Sequence, residues 1–318
     1  MFPALLTSVL FSISAVCANR STRILGSIPA NFWRLLLATC LLGLYAHSFS
    51  LGMGGPAFPI FFVSGIVGFG VGDFALYKAF PRLGSRLSVL LVNCLAAPIG
   101  AIMEWVWLGT PLSSGQILCG LVVLVGVTLA LAPGEHLQLS RWALTGGILL
   151  CVIAASGQSL GAVLSRKAFE VARQAGENID GATSAYQRIV GGMLVALIVY
   201  TFSKLAKRNL GAKPCDQATP KSDHSTSKLQ ELLSRISPWG WVTLNAVAGA
   251  VLGVSCLQIA LTTIPTGVVL PIVAVTPIVV IPFSFVMEGE RPTPRSLAGG
   301  LIAVAGVVGL SLVTKRAG

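Results

Sequence analysis

The run Gly120-Leu121-Val122-Val123-Leu124-Val125-Gly126, starting eleven residues after Gly109, recurs as Gly300-Leu301-Ile302-Ala303-Val304-Ala305-Gly306, eleven residues after Gly289. All three glycines return 180 positions later. Each copy belongs to the end of a set of five strongly apolar segments. A helix that spans a bilayer needs about 20 mostly apolar residues. Ten stretches fit: 3–19, 32–50, 57–79, 84–105 and 112–132, then 142–165, 182–203, 239–262, 267–287 and 296–314. Five is an odd number, so if each segment crosses once, the second set enters the bilayer from the opposite side. The expected fold is all-α and integral to the membrane, with ten transmembrane helices in two inverted five-helix repeats, residues 1–133 and 142–315.

Composition agrees with a lipid solvent. Hydrophobic residues fill 54% of the 318 positions and charged residues only 10%, against about a quarter in soluble domains. The formal charge of +11 does not point to nucleic acid, because the cations form no stripe with interleaved aromatics. They lie mainly between apolar segments, where they set orientation. Connections after odd-numbered segments hold 16 of the 22 Lys and Arg, and the other side holds six. The positive-inside rule puts the richer side in the cytoplasm and both termini outside.

Three stretches call for separate readings. Val16-Cys17-Ala18 resembles a signal-peptide cleavage site, but no Lys or Arg precedes it, so the first segment is expected to be a retained helix. Residues 204–238 are rich in Lys, Ser, Thr and Asp and cannot bury enough apolar area to fold alone; a mobile polar loop inside the second repeat is expected. Cys17, Cys40, Cys94, Cys119, Cys151 and Cys256 lie in or beside apolar segments, with Cys215 in the polar stretch. No Cys or His spacing suits a metal, so neither metal nor cofactor is expected.

Glycine and proline mark the close contacts and the breaks. Gly68-xxx-Gly72 and Gly249-xxx-Gly253 stand in corresponding segments and predict close helix packing. Pro271, Pro277 and Pro282 crowd the ninth segment, with Pro98 at a related place in the fourth. Interrupted helices in corresponding places of two halves point to a binding site, or to kinks that serve packing.

A charge at membrane depth needs a partner or a task. Asp73 is the sharpest case, with Tyr77 on the same face at i+4. Burial disfavours its charged form, which suits proton exchange; pairing with an arginine is the structural alternative. Arg34 and Arg188 occupy matching starts of the second and seventh segments, fit to grip an anion or to snorkel to headgroups. Asn31, Tyr186 and Gln187 would widen a polar site beside them. Asn93, Gln158, Asn245 and Gln258 are neutral polar residues inside apolar segments, either inter-helix glue or cavity groups. Glu104, next to Trp105 and Trp107, is expected at the interface, as is His47. No P-loop, no nucleophile-elbow motif and no paired intramembrane catalytic set is present, so no catalytic residue is assigned and an enzyme is not expected.

Trp33-Arg34-Leu35-Leu36-Leu37, Ala75-Leu76-Tyr77-Lys78-Ala79, Trp107-Leu108-Gly109-Thr110, Tyr186-Gln187-Arg188, Gln258-Ile259-Ala260-Leu261 and Gly289-Glu290-Arg291-Pro292-Thr293 together resemble the drug/metabolite transporter superfamily in its ten-helix form, with two EamA-type domains. The likeness covers essentially the whole chain. Thr110 departs from it, standing where the family usually has Glu. The resemblance implies a solute carrier of the bacterial inner membrane with a cavity between the halves. Relatives move amino acids, other metabolites, sugars, nucleotide-linked sugars or drugs, often outward. They are usually drawn with both termini in the cytoplasm, opposite to the loop charges here.

The expected function is thus a secondary transporter of a small polar, amino-acid-like metabolite, working by alternating access with proton coupling or exchange. Its cavity would be lined by helices 1, 3, 4, 6, 8 and 9. The partners are a small-molecule solute and the lipid bilayer, with a homodimer through helices 5 and 10 as a further reading. Alternatives are a nucleotide-sugar or sugar-phosphate carrier, or a non-transporting membrane scaffold or sensor that uses the polar loop.

Overall fold

The computed structural model describes residues 1–109, 112–131, 141–209, 237–276, 278–280 and 294–317. Among these, every regular element is helical. In chain order they are α1 (Phe2–Leu25), α2 (Ser27–Phe49), α3 (Phe58–Ser85), α4 (Leu87–Leu108), α5 (Ser114–Leu131), α6 (Arg141–Gln174), α7 (Gly181–Asn209), α8 (Pro238–Thr263), α9 (Thr266–Val273, continuing after a turn to Val280) and α10 (Pro294–Ala317). Seven of them, α1 to α4 and α6 to α8, are long and apolar enough to cross a bilayer. In α5, α9 and α10 the apolar stretches are shorter: Ser114–Gly126, Thr266–Val280 and Ala298–Gly309. The chain is therefore an all-α integral membrane protein. The polar stretch 210–236, Cys215, Thr110, Pro277, Pro282 and the Gly289–Thr293 signature lie outside the described residues.

Helices form here because lipid offers no partner for a bare backbone, so each segment satisfies its own N–H and C=O groups. The tight joints α1/α2 and α3/α4 each pass through a glycine at positive φ, Gly26 at 86° and Gly84 at 78°, where a Cβ would be strained.

Two features recur 180 positions apart. The ladder widens to π-helical spacing at Ile66–Asp73 in α3 and at Ala246–Gly253 in α8. The packing is partly exchanged: α3 nests against α6 and α7 of the other half, whereas α8 nests chiefly against α1 of the other half, with further contacts on α7 and α2. In addition, α2 packs on α7, α4 on α6 and α5 on α10.

Small residues permit these crossings. A Cβ at Gly157 of α6 would stand 2.8 Å from the Cα of Gly72, and one at Gly161 3.3 Å from the Cα of Gly68. The Gly68-xxx-Gly72 stripe therefore meets a second stripe of the same spacing on α6. The α5/α10 contact is equally close, since a Cβ at Gly126 would fall 2.4 Å from the Ala303 nitrogen. On α8, Gly249 and Gly253 face Ser14 and Phe11 of α1.

The expected interruption of the ninth segment is present. The first part of α9 ends at Val273, two residues after Pro271, and a turn at Ala274 and Val275 follows. Serines of α1 meet the broken ladder: Ser8 Oγ donates to the Ile272 carbonyl at 3.1 Å and Ser12 Oγ to the Thr276 carbonyl at 2.9 Å. In the related place of the other half, Ser159 of α6 donates to the Ala96 carbonyl at 2.8 Å, two residues before Pro98. Side-chain hydroxyls are how helix breaks become tolerable in lipid.

Candidate functional site

A cavity of about 120 Å³ lies where the two halves meet. Its walls come from α1, α2, α3, α4, α6, α7, α8 and α9. The sequence implied six of these helices; α2 and α7 join them by sending in Arg34 and Arg188. Six of the eight candidate residues line this space: Arg34, Asp73, Tyr77, Asn93, Gln158 and Arg188. The widened turns of α3 and α8 contribute Gly68, Phe69, Asp73 and Gly249. A π turn displaces the residues that follow it, a device found often at functional sites.

Arg34 and Asp73 form an ion pair through Nη2 and Oδ2. The same Nη2 donates to Asn31 Oδ1 at 3.1 Å, and the guanidinium lies over the Tyr77 ring at 5.1 Å. Arg34 therefore does not snorkel; it turns inward and neutralises the carboxylate. The Tyr77 hydroxyl accepts from Asn245 Nδ2 at 2.6 Å, and Asn245 Oδ1 accepts from Ser14 Oγ at 2.7 Å. Asn245 is thus not a lining residue but the support that fixes Tyr77, across the boundary between the halves.

Arg188 is also buried, at 4% exposure, and is held differently. Its guanidinium lies over the Phe69 ring at 5.2 Å. Its Nε and Nη1 have no hydrogen-bond partner among the described residues. Of the remaining candidates, Asn93 donates to the Val89 carbonyl at 2.8 Å within its own helix. Gln258 lies outside the cavity lining, fully buried, with neither amide atom bonded among the described residues.

The residues expected to widen the site do other work. Gln187 donates to the carbonyls of Gly52 and Gly54, each at 3.0 Å. Tyr186 meets His47 Nε2 at 3.1 Å. Asp180, just before α7, accepts from the amides of Ala182 and Thr183 at 2.9 Å, from the Thr183 hydroxyl at 2.6 Å and from Ser50 at 2.9 Å. Burial pushes its carboxyl up, but the bonds from Thr183, Ser50 and the Ala182 amide outweigh that and hold it below the usual carboxylate range. The bonds of Gln187, Tyr186 and Ser50 join the end of α2 and the α2–α3 connection to the start of α7.

Glu104 corrects the interfacial expectation. It is 1% exposed, pairs with Arg166 Nε of α6 at 3.0 Å and accepts from the Gly267 amide in the first turn of α9 at 3.0 Å. Arg166, read as a loop cation, also reaches the Leu261 carbonyl at 3.4 Å. A cue existed: segments four and six both run toward the same face of the membrane, so an acid and a base near their ends were placed to meet. The six cysteines among the described residues are free.

Comparison with known proteins agrees with this architecture. A solved crystal structure of a protein 15% identical to this chain superposes with a TM-score of 0.66, covering 98% of both chains, a likeness of fold alone. None of the curated proteins compared matches the chain significantly. The model of the EamA-like transporter family matches residues 1–132 and 225–312. Spanning both halves and well over half of the residues, that match means that this chain belongs to the EamA-like transporter family.

Proposed function

We propose that the chain is a secondary transporter in which two inverted five-helix repeats rock about the central cavity and expose it to each side in turn. One observation carries this reading. A cavity between the halves holds a charge pair, a second arginine and a supported tyrosine, in a protein of a transporter family. The 180-residue offset of the two π turns and the partly exchanged packing of α3 and α8 support the inverted repeat. Loop charge favours external termini.

The geometry suggests how opening is coupled to cargo. Asp73 is bound to Arg34, so either a proton on Asp73 or an anion on Arg34 breaks the pair. Both come from helices that meet the opposite half, so breaking the pair loosens the shared surface. Ties between the halves cluster at the α2–α3 and α6–α7 end: Gln187 to Gly52 and Gly54, Ser50 to Asp180, His47 to Tyr186 and Glu104 to Arg166. These ties favour a state closed at that end. A small metabolite fits the cavity as it stands in this structure.

Purified protein in liposomes, given radiolabelled small metabolites with and without a pH gradient, tests the reading. Gradient-driven or exchange-driven accumulation is expected, and Asp73→Asn should abolish coupling while the protein still inserts. Coupled transport unchanged in Asp73→Asn would refute Asp73 as the coupling group. Reporter fusions at the two ends decide the orientation.

A further inference from the structure

We infer that Arg188 is the anchor for a single carboxylate, and that the cargo is a small organic monoanion with an apolar body. The inference rests on the carrier reading above. It begins with the charges in the cavity. Arg34 is spent on Asp73, which leaves Arg188 as the one cavity cation without an ion-pair partner among the described residues. A buried guanidinium with two unsatisfied nitrogens is unfavourable until an anion fills the position.

The surroundings keep it that way. A Cβ at Gly68 would stand 3.1 Å from Nη2 of Arg188, and one at Gly161 2.9 Å. The side chain reaches the cavity through a slot made by two glycines, and neither supplies an acceptor side chain. Phe69 covers one face of the guanidinium, so an anion would meet it in its plane. Tyr77 adds a second donor, because its oxygen already accepts from Asn245 and its proton is left for an acceptor in the cavity.

The other walls describe the rest of the cargo. Phe80, Leu76, Val89, Val92, Val254 and Leu257 line the space, so the body of the solute meets hydrocarbon. An ammonium group would need a free carboxylate, and Asp73, the one acid lining the cavity, is bound to Arg34. This disfavours a zwitterionic amino acid relative to a plain acid. A cavity of about 150 Å³ holds benzene, so about 120 Å³ suits a body of four or five carbons.

The test uses purified full-length protein in detergent and three radiolabelled probes of matched shape: 3-methylbutanoate, 3-methylbutanamide and valine. Binding is read by scintillation proximity. The acid is expected to bind and the amide and valine to bind at least tenfold more weakly. Arg188→Gln should weaken binding of the acid by roughly tenfold to a hundredfold, the range for a hydrogen-bonded charge, and should remove the difference between acid and amide. Arg188→Lys, which keeps the charge without the fork, should retain part of that preference. Gel filtration and thermal unfolding without probe check folding, and Arg188→Gln is expected to be no less stable than the wild type. Equal or tighter binding of valine or the amide overturns the monoanion assignment and leaves the carrier reading standing, as does acid binding that ignores Arg188→Gln. If a folded protein binds none of the three, the inference fails, and flux of other metabolites in liposomes then decides the carrier reading by itself.

Discussion

Removing one member of the Arg34–Asp73 pair should cost more than removing both. Arg34 is 7% and Asp73 20% exposed at the side chain, so neither charge can be left to water. Asp73→Asn leaves Arg34 and Arg188 facing one cavity with two positive charges and no negative one. Arg34→Gln leaves Asp73 beside Arg188 alone. Unit charges about 4 Å apart at an effective dielectric near 20 interact by roughly 4 kcal/mol, and breaking a buried pair from one side costs about 3–5 kcal/mol. Each single variant should therefore lose about that much, while the double variant Arg34→Gln/Asp73→Asn, which buries a neutral amide pair, should recover most of it. At about 2 °C per kcal/mol for a chain of this size, the singles unfold roughly 6–10 °C below the wild type and the double well above either. Thermal unfolding of all four proteins in the same detergent gives the coupling term directly. Additive losses, with the double variant the least stable of the set, would refute the argument that these charges hold each other.

The ties and crossings make further predictions. Asp180→Ala should destabilise the protein by about 1 kcal/mol at neutral pH, the usual worth of a helix cap. Its depressed carboxyl gives stability that is present above the unfolded value near 3.9 and is lost as pH falls through the folded one, so the gap between wild type and Asp180→Ala should close in acid; a gap independent of pH removes the charge from the explanation. Gly157→Ala places a Cβ 2.8 Å from the Gly72 Cα and should cost about 1–3 kcal/mol by overpacking, as read by denaturation. Glu104→Gln keeps an acceptor for the Gly267 amide but leaves Arg166 without its ion pair, and amide hydrogen exchange in the first turn of α9 should quicken; unchanged exchange there means the pair does not hold that end.

The sequence revealed the helices through their length and the break in α9 through Pro271, whereas α4 runs unbroken through Pro98. It also supplied six of the cavity residues, because polar groups inside apolar helices are too unfavourable to be placed idly. What it could not supply was partnership. Whether Asp73 met Arg34 or stayed free depended on how α2 and α3 rotate about their axes, which no spacing within one helix encodes. Asn245 looked like Asn93 and Gln158, yet it stands behind Tyr77, because the first part of α8 crosses α1 of the other half. Glu104 read as interfacial because Trp105 and Trp107 beside it are ordinary interfacial anchors, whereas its own side chain turns toward Arg166 and Gly267. The widened turns at Ile66–Asp73 and Ala246–Gly253 left no composition signal beyond glycine content, since π spacing is imposed by packing.

The placement of polar contacts also bears on which end opens. At the α2–α3 and α6–α7 end the ties between the halves are directional: the Gln187 amide on two carbonyls, Ser50 on Asp180, His47 on Tyr186 and Glu104 on Arg166. At the other end the described contacts between the halves include Trp33 against Trp239 edge to face, with centroids 5.1 Å apart, and Arg20 over Trp241 at 5.7 Å. Aromatic faces slide with little loss, whereas a hydrogen bond must break before it can move. Four neutral or singly charged bonds at about 0.5–1.5 kcal/mol each, with a buried pair in addition, place several kcal/mol against opening the tied end. Reversing a 99:1 preference takes about 5.5 kcal/mol of differential binding. A cargo that pairs with Arg188 only when the halves draw together can supply part of that, whereas a solute that bound both states equally would shift nothing. On the proposed rocking mechanism, Arg188 is the feature that would let the tied end open, and its unfavourable state without cargo would couple binding to movement.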